Sequence, residues 1–419
     1  MAGPRFLVLH PQFPDTLTLR WPGGPLRGTA LLPASKSESN RALIIRALAG
    51  GGQLSNLSEA NDTQLMSRLL AHPAAPEFDA EDAGTVMRFL TAFLAATGRH
   101  ASISGTPRML ERPIGVLVDA LRQLGADIEY VGREGYPPLQ LRGWQARGGA
   151  PLSVRGDISS QFISALMMIG PLVPGGLHLQ LTGHVGSRPY ILMTAALMRH
   201  FGAEVDVQER EVHVAPQPYQ PADYAVEADW SAASYWYSLV ALAPEGSQLH
   251  LPGLRRQSWQ GDQAIARLME PLGVHTEFVD DGVVLRQTSE RAARVAMNFT
   301  DCPDLAQTIA VAAAATGVVV DMTGLESLRI KETDRILALQ TELAKFGAGM
   351  APEGKDMFRV SAERLHVQGQ TVETYHDHRM AMAFAPLALR GRLTVNTPAV
   401  VRKSYPFFWE ELRQAGFEL

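Results

Sequence analysis

The sequence returns to one local pattern at intervals of about 70 residues, and this repetition restricts the possible folds. In each copy an amphipathic helical stretch ends at a glycine, and a short run of alternating apolar and polar residues follows. Glycine readily adopts the left-handed conformation that ends a helix, and alternation with a period of two is typical of a half-buried strand. The five copies end at Gly125, Gly202, Gly273, Gly347 and Gly416.

A repeat of this length fits into the chain six times, so one copy should lie before residue 80. There the helix-like segment 63–70 runs into residues 71–76, AHPAAP, which contain no glycine to end a helix and leave almost no room for a strand. Repeats of this kind are supersecondary units that pack on one another. The pattern therefore predicts an α/β chain of six repeats, the first of them truncated.

The size and charge of the chain restrict its function. The chain has 419 residues, of which 46% are hydrophobic, and single cores stop growing at about 250–300 residues, so more than one domain is expected. The net charge of -5 gives no overall attraction to nucleic acid or to an anionic membrane. Any anion site must be built locally from a minority of basic side chains.

Targeting signals and disulfides are not indicated by the sequence. The longest nearly apolar run, residues 309–320, is shorter than the roughly 18–20 residues needed to span a bilayer. The first residues lack the charged start, apolar stretch and cleavage site of a signal peptide. Cys302 is the only cysteine, so neither an internal disulfide nor a cysteine-based metal cluster can form. We expect a cytoplasmic protein.

Two segments imitate ligand sites. Residues 349–356, GMAPEGKD, come within one residue of a phosphate-binding loop, but Asp356 replaces the hydroxyl residue and the segment follows a helix rather than a strand. His376 and His378 could bind a metal only if a strand pointed them the same way, and no third ligand is obvious nearby. We interpret the first segment as a hairpin turn and the second as ordinary polar packing, and we expect no metal.

Basic and hydroxyl side chains gather where helices are predicted to begin. A helix N-terminus offers unpaired backbone amides and the positive end of the helix dipole, so such groups favour anion binding there. Each segment alone could equally be a capped helix or a charged surface helix. Their recurrence in an acidic chain favours a cleft lined from both halves that holds highly anionic substrates.

Six short motifs together resemble those of the enolpyruvylshikimate-phosphate synthase family, and they occur in that family's order over nearly the whole chain. The motifs are SKSESNR at 35–41, AGTVMR at 83–88, RMLERPIG at 108–115, SSQ at 159–161, KETDR at 331–335 and DHRMAM at 377–382. The resemblance implies two similar domains, each assembled from three βαβαββ units, with the active site in the cleft between them. The first domain would span residues 34–227, and the second would combine residues 1–33 with 228–419.

The reaction that the resemblance implies needs neither a metal nor an organic cofactor. The 5-hydroxyl of shikimate 3-phosphate would attack C2 of phosphoenolpyruvate while C3 is protonated, and phosphate would then leave, a step of aromatic amino-acid biosynthesis. By the same resemblance, Asp304 would take the hydroxyl proton, Glu332 would handle the proton at C3, and Lys36 would bridge both substrates and assist proton transfer. We expect a monomer whose partners are these two small molecules, with no nucleic acid or membrane.

The resemblance also implies the substrate contacts. The residues matching those that hold shikimate 3-phosphate are Lys36, Ser37, Arg41, Ser159, Ser160, Gln161, Ser187, Tyr190, Asp304 and Lys331. The residues matching those that meet phosphoenolpyruvate are Lys36, Gly84, Arg112, Gln161, Arg335, Arg379 and Lys403. Asp82 stands where the family usually has asparagine, so either a neighbouring arginine compensates for its charge or phosphoenolpyruvate binds more weakly.

Two other functions are compatible with this pattern. The related transferase that acts on UDP-N-acetylglucosamine has the same fold but typically uses a cysteine in a mobile loop of its first domain, whereas Cys302 lies outside that region. A catalytically inactive paralogue that binds shikimate phosphate would have lost an acid or a base. The sequence disfavours it because Asp304, Glu332, Lys331 and Lys36 are all present.

Overall fold

The computed structural model describes residues 13–156, 159–362 and 365–419. These residues fall into two compact units. One unit comprises residues 34–227 with 259–261, and we call it the inner unit because its residues lie inside the sequence of the other. The outer unit comprises residues 13–33, 228–258 and 262–419. The first 12 residues of the predicted second domain lie outside the described part of the chain.

The chain alternates strands and helices throughout. The strands are β1 Thr16–Leu19, β2 Arg27–Thr29, β3 Leu54–Ser55, β4 Glu77–Asp79, β5 His100–Ser104, β6 Ala126–Tyr130, β7 Leu139–Trp144, β8 Leu152–Arg155, β9 Leu177–Thr182, β10 Val205–Val207, β11 Glu211–Val214, β12 Tyr224–Ala225, β13 Gln248–Pro252, β14 Val274–Val279, β15 Gly282–Gln287, β16 Arg294–Asn298, β17 Val319–Thr323, β18 Ala348–Pro352, β19 Met357–Ala362, β20 Thr371–Val372 and β21 Leu393–Asn396. The α-helices are α1 Lys36–Ala49, α2 Asn61–Leu70, α3 Gly84–Ala96, α4 Pro107–Leu110, α5 Gly115–Gln123, α6 Ser160–Ile169, α7 Arg188–His200, α8 Trp230–Leu242, α9 Ile265–Leu268, α10 Ala306–Thr316, α11 Arg335–Ala344, α12 His378–Phe384 and α13 Phe408–Gln414.

Four sheets share one topology. In each sheet an antiparallel hairpin adds its second strand beside a parallel pair. A helix joins the two parallel strands in three of these sheets, whereas β2 and β13 are separated in sequence by the inner segment 34–227 and by α8. The orders are β4-β5-β7-β6 and β8-β9-β11-β10 in the inner unit, and β2-β13-β15-β14 and β16-β17-β19-β18 in the outer unit. The outer unit also contains a three-stranded sheet, in which β21 pairs with β20 in parallel and with β1 in antiparallel fashion. The predicted α/β fold of repeated units is therefore confirmed.

The first repeat is truncated, as the sequence predicts. It consists of α1, the short strand β3 and α2, and the described residues 71–76 lead directly into β4 without a hairpin. Its strand β3 pairs in parallel with β12, which comes from the end of the inner segment of the chain. Burying the truncated repeat therefore depends on a partner strand about 170 residues away, the separation of hydrogen-bonded Gln53 and Asp223.

The repeated glycines end their helices in the predicted conformation. Each of the five has a positive φ between 76° and 107°. At Gly125 a side chain could not be accommodated in any case, because an added Cβ would lie 1.9 Å from the carbonyl oxygen of Gln145. The glycine thus both ends the helix and lets the end of β7 approach closely.

Each unit has its own apolar core. In the inner unit the buried faces of α1, α3, α5, α6 and α7 pack together with the inward residues of the sheets. In the outer unit α8, α10 and α12 occupy the corresponding place. Of these helices, α3, α6, α8 and α10 are apolar on nearly all sides, as expected for helices surrounded by sheets and other helices. Among the described helices, none is long and apolar enough to cross a membrane.

Candidate active site

In the inner unit the start of α1 places a lysine and a buried arginine. Ser35 caps the helix by accepting a hydrogen bond from the amide of Glu38, and Lys36 is the first helical residue. The ammonium group of Lys36 lies 3.1 Å from a carboxylate oxygen of Asp62. This pair fixes Lys36 at the positive end of a 14-residue helix.

Arg41, one turn further along α1, is only 2% exposed. Its guanidinium donates to the hydroxyls of Thr194 and Ser164 at 2.7 and 3.0 Å and to the carbonyl oxygen of Ser37 at 2.9 Å. It also lies against the ring of Tyr190, 5.7 Å from the centroid. Burial lowers the pKa of Arg41 to about 10, against the opposing effect of Tyr190 and Glu38. Arg41 therefore remains a cation at neutral pH.

The start of α3 brings two arginines onto a glycine. A Cβ on Gly84 would lie 2.5 Å from Nη1 of Arg88 and 2.8 Å from Nη2 of Arg112. Only glycine leaves room for both guanidinium groups beside the exposed amides of the helix N-terminus. Two guanidiniums and a helix N-terminus form a suitable site for a carboxylate or phosphate.

Asp82 is an exposed residue that directly precedes this turn. Nη1 of Arg112 donates a hydrogen bond of 3.5 Å to its backbone carbonyl oxygen.

The start of α6 supplies neutral donors next to Arg88. Ser159 caps this helix by accepting from the amide of Gln161. The side chain of Gln161 accepts from Arg88 at 2.9 Å and donates to the hydroxyl of Thr85 at 3.2 Å. Gln161 thus joins α3 to α6, and Ser160, which follows the cap, is buried.

Ser187 precedes α7 in a left-handed conformation, with φ 57°. A non-glycine residue in this region is uncommon and often marks a functional constraint. Tyr190, in the first turn of α7, reaches Arg41. The structure therefore brings Ser37 and Tyr190 to the guanidinium of Arg41. It also brings Gly84 to the guanidiniums of Arg88 and Arg112, and Gln161 to that of Arg88.

In the outer unit a second cluster is organised by Arg335, the first residue of α11, which is 1% exposed. Its guanidinium contacts three carboxylates: Asp377 at 2.7 Å, Asp304 at 2.9 Å and Glu332 at 2.9 Å. Asp377 also caps α12 by accepting from the amide of Arg379. The starts of α11 and α12 therefore lock one another in place.

Asp304 lies in a 3₁₀ turn, Pro303–Leu305, that leads into α10. Its second carboxylate oxygen accepts from Arg379 at 2.9 Å, and Lys331 lies 3.8 Å from the first. Burial alone would raise the pKa of Asp304, but Arg379, Lys331 and Arg335 together hold it well below its usual range. Asp304 is an anion at neutral pH.

The same cluster shifts its cations in opposite directions. Burial lowers the pKa of Lys331, although Asp304 opposes this change. For Arg335 the three carboxylates outweigh burial and raise the pKa above its ordinary value. Lys331 is thus the cation of this cluster that loses its proton more readily, which suits a group close to a proton transfer.

Lys403 is the last residue of the 3₁₀ helix Pro398–Lys403. It is half-buried. Its position in sequence is two residues before the buried Tyr405, whose hydroxyl donates to the carbonyl oxygen of Leu31.

The comparisons with known proteins agree with one another. The family described as EPSP synthase (3-phosphoshikimate 1-carboxyvinyltransferase) matches residues 71–412. A 3-phosphoshikimate 1-carboxyvinyltransferase of Bacteroides fragilis is 48% identical over 94% of this chain and 96% of its own length. One from Klebsiella pneumoniae is 39% identical over 95% of this chain and 98% of its own.

The chain belongs to the EPSP synthase family. The solved EPSP synthase of Acinetobacter baumannii has the same fold, with a TM-score of 0.80 and 22% identity over 96% of this chain and 99% of that one. The enolpyruvyl transferase NikO of Streptomyces tendae superposes with a TM-score of 0.73 and 16% identity, over 96% and 98%. At these identities the structures establish the fold alone.

Several residues of the two clusters were not assigned a role from the sequence. Arg88 and Asp377 belong to the family motifs, so their positions were available, but no substrate contact was attached to them. Asp62, the partner of Lys36, lies in no motif.

Asp262 is the most important residue near these clusters that was not assigned a role from the sequence. It is 3% exposed, its carboxylate accepts from the hydroxyl of Ser231, and its Oδ1 has no hydrogen-bond partner among the described residues. Burial and the nearby charge of Asp304 raise the pKa of Asp262 to about 7, against the effect of Arg379. A carboxyl group that exchanges a proton near neutral pH thus lies close to the ionised Asp304.

Proposed function

We propose that this member of the EPSP synthase family transfers the enolpyruvyl group of phosphoenolpyruvate to the 5-hydroxyl of shikimate 3-phosphate and releases phosphate. The observation that carries the proposal is the pair of carboxylates, Asp304 and Glu332, held on one buried guanidinium of Arg335. Addition followed by elimination needs one group to take the hydroxyl proton and another to deliver and remove a proton at C3. Two carboxylates fixed side by side can divide these tasks.

In the first step Asp304 accepts the proton of the 5-hydroxyl as its oxygen attacks C2, and Glu332, which enters the step protonated, delivers that proton to C3. In the second step Glu332 takes a proton back from C3 as the phosphate departs from C2, which restores the enol double bond, and the departing phosphate takes up the proton held by Asp304. Asp304 is a weak base while three cations surround it. Binding of anionic substrates would offset those cations and raise its basicity when it is needed.

Apart from the anionic Asp304, the groups proposed to hold the substrates are cationic or neutral donors. We assign phosphoenolpyruvate to Gly84, Arg112, Gln161, Arg335, Arg379, Lys403 and Lys36. We assign shikimate 3-phosphate to Lys36, Ser37, Arg41, Ser159, Ser160, Gln161, Ser187, Tyr190, Asp304 and Lys331. Guanidinium groups bind carboxylates and phosphates through paired hydrogen bonds, and hydroxyls at helix starts suit phosphate oxygens. These assignments include residues of both units.

Cys302 bears on the alternative acceptor. The thiol is 4% exposed, and burial together with Asp262 and Asp301 raises its pKa to about 12. Such a thiol is protonated at neutral pH and is a poor nucleophile or acid for catalysis. Its surroundings therefore favour shikimate 3-phosphate over UDP-N-acetylglucosamine as the acceptor.

The test is phosphate release by the purified protein mixed with phosphoenolpyruvate and shikimate 3-phosphate, with a chelator present throughout. UDP-N-acetylglucosamine replaces the shikimate substrate in the control reaction. We expect release with the shikimate substrate alone. Release only with the nucleotide sugar would reverse the assignment of the acceptor, and tight shikimate phosphate binding without release from either mixture would identify an inactive paralogue.

A further inference from the structure

A histidine pair and a glutamate meet on one face of the inner unit, on the sheet β8-β9-β11-β10. His178 lies on β9, and Glu211 and His213 lie on β11. The possible ligand atoms of these three side chains all lie within 4.8 Å of one another. Among the described residues, they are the group of three histidine, cysteine, aspartate or glutamate side chains that meets this distance. None of the three is among the residues assigned to the transfer reaction.

The strand register explains why these side chains converge. His178 and His213 are directly paired across β9 and β11, which run antiparallel. Glu211 precedes His213 by two residues, so both side chains point to the same face of the sheet. Two ligands from one strand and a third from the opposite position on its neighbour therefore point to one spot.

The distances match those of a metal centre. Nε2 of His213 lies 3.3 Å from Oε2 of Glu211, and Nε2 of His178 lies 3.6 Å from the same oxygen. Ligands bound tetrahedrally at about 2.0–2.1 Å from zinc are about 3.3–3.4 Å apart. The two imidazole rings are stacked with centroids 4.0 Å apart, so small side-chain rotations would bring all three atoms to that distance from one point.

The surroundings of the three side chains favour a bound cation over a histidine–glutamate hydrogen bond alone. Nε2 of His178 is shielded from solvent and has no hydrogen-bond partner among the described residues, which is costly for a buried polar atom. A pocket of about 420 Å³ opens beside the two histidines and is lined also by Glu204 and Asp206. It offers an entry path and room for water to complete the coordination.

We propose that His178, Glu211 and His213 form a binding site for a divalent transition metal ion, with Zn²⁺ as its natural occupant. Two imidazoles and one carboxylate suit zinc and the neighbouring ions of the same series, whereas magnesium and calcium require oxygen ligands. The ion would bridge β9 and β11, whose sheet also carries α7 at the other end of β9. Its role would be to stabilise the inner unit, because it would link two paired strands of one sheet.

The test uses tag-free protein, stripped with a chelator and then freed of it, titrated with Zn²⁺ alone in a calorimeter. We expect one Zn²⁺ per chain. His178→Gln and His213→Gln each remove one ligand and should weaken binding about tenfold to a hundredfold or more. The matched control is His250→Gln, because His250 pairs with Asp281 at 3.1 Å but is not part of the three-residue group, and its binding should equal that of the unaltered chain.

Thermal unfolding provides a second readout. Zn²⁺ should raise the Tm of the unaltered chain and of His250→Gln, but not of the other two variants, and without metal all four should unfold at similar temperatures. Absence of binding at sub-millimolar Zn²⁺, or equal binding by all variants, would overturn the proposal and leave an ordinary histidine–glutamate contact. Neither outcome depends on phosphate release, which is measured with a chelator present.

Discussion

Arg41 in the inner unit and Arg335 in the outer unit are both almost completely buried, yet different groups hold them. Arg41 donates to two hydroxyls and a carbonyl oxygen, whereas Arg335 contacts three carboxylates. Burial accordingly lowers the pKa of Arg41, while the carboxylates raise that of Arg335. The charge of the inner arginine is not neutralised by a carboxylate among the contacts named here, whereas the outer arginine also positions three acids.

The largest expected effect is on stability, from removing the two arginines in turn. Arg335→Met should lower the free energy of unfolding by about 3–5 kcal/mol, because three carboxylates lose their shared cation. Arg41→Met should cost less, about 1–3 kcal/mol, because its partners are neutral. Urea unfolding measures both, with Arg68→Met, which breaks an exposed ion pair with Glu81, as the control. Equal losses for Arg335 and Arg41 would contradict the contrast drawn between the two clusters.

The next effect is on turnover. Glu332→Gln should lower kcat by about a hundredfold or more, because the amide cannot exchange a proton at C3. Shikimate phosphate binding should be largely kept, since the amide oxygen can still accept from Arg335. Steady-state phosphate release and calorimetric binding separate the two readouts, with the exposed Glu326→Gln as the control. A variant as fast as the original protein would remove Glu332 from the mechanism.

In the inner unit we expect an effect on binding rather than on turnover. Arg88→Met removes one of the two guanidiniums over Gly84 and should raise KM for phosphoenolpyruvate roughly ten- to a hundredfold, the scale of a lost charged hydrogen bond. The value of kcat should change little. Arg68→Met, which breaks an exposed ion pair with Glu81, is the control. A fall in kcat at unchanged KM would assign Arg88 to the chemistry instead.

The smallest effect concerns pH. Asp262 titrates near pH 7 in the folded protein against 3.8 for an ordinary carboxyl, so its stabilising contribution is complete below pH 3.8 and is lost as pH rises through 7. Asp262→Asn should remove this dependence and gain about 1 kcal/mol at pH 7, since losing the attraction of Arg379 offsets part of the benefit. Urea unfolding from pH 4 to 8 tests this, with the exposed Asp280→Asn as the control. A constant difference across that range would refute the shifted pKa.

The repeats could be predicted because their signals are local. A helix that ends at Gly125 or Gly202 and continues as a strand can be recognised within about 20 residues, and the missing hairpin at 71–76 is visible in the same way. The order of strands within each sheet is not local, because each hairpin inserts its second strand next to an earlier one. For that order the sequence offered only the resemblance to a family.

The site residues also divide into those that local motifs reveal and those that only folding brings together. Lys36, Gly84, Gln161 and Arg335 lie at or next to helix starts, where short motifs reveal them. Asp262 acquires its shifted pKa only because folding brings it near Asp304, 42 positions later in the sequence, and no motif surrounds it.

The histidine pair is a similar case. His178 is an isolated histidine in a strand, and nothing in its neighbourhood indicates a ligand. His178 lies opposite His213 only because of the register in which β9 pairs with β11.

The pairing of β1 with β21 has a consequence for the order of events during synthesis. Thr18 and Thr394, on these two strands, are 376 positions apart, so at 5–20 residues per second β1 waits roughly 20–75 s for its partner to emerge from the ribosome. The inner segment 34–227 is complete long before that. Meanwhile the strand keeps its unpaired backbone exposed, and its short length and its threonines, Thr16 and Thr18, limit the risk that it pairs with a neighbouring nascent chain.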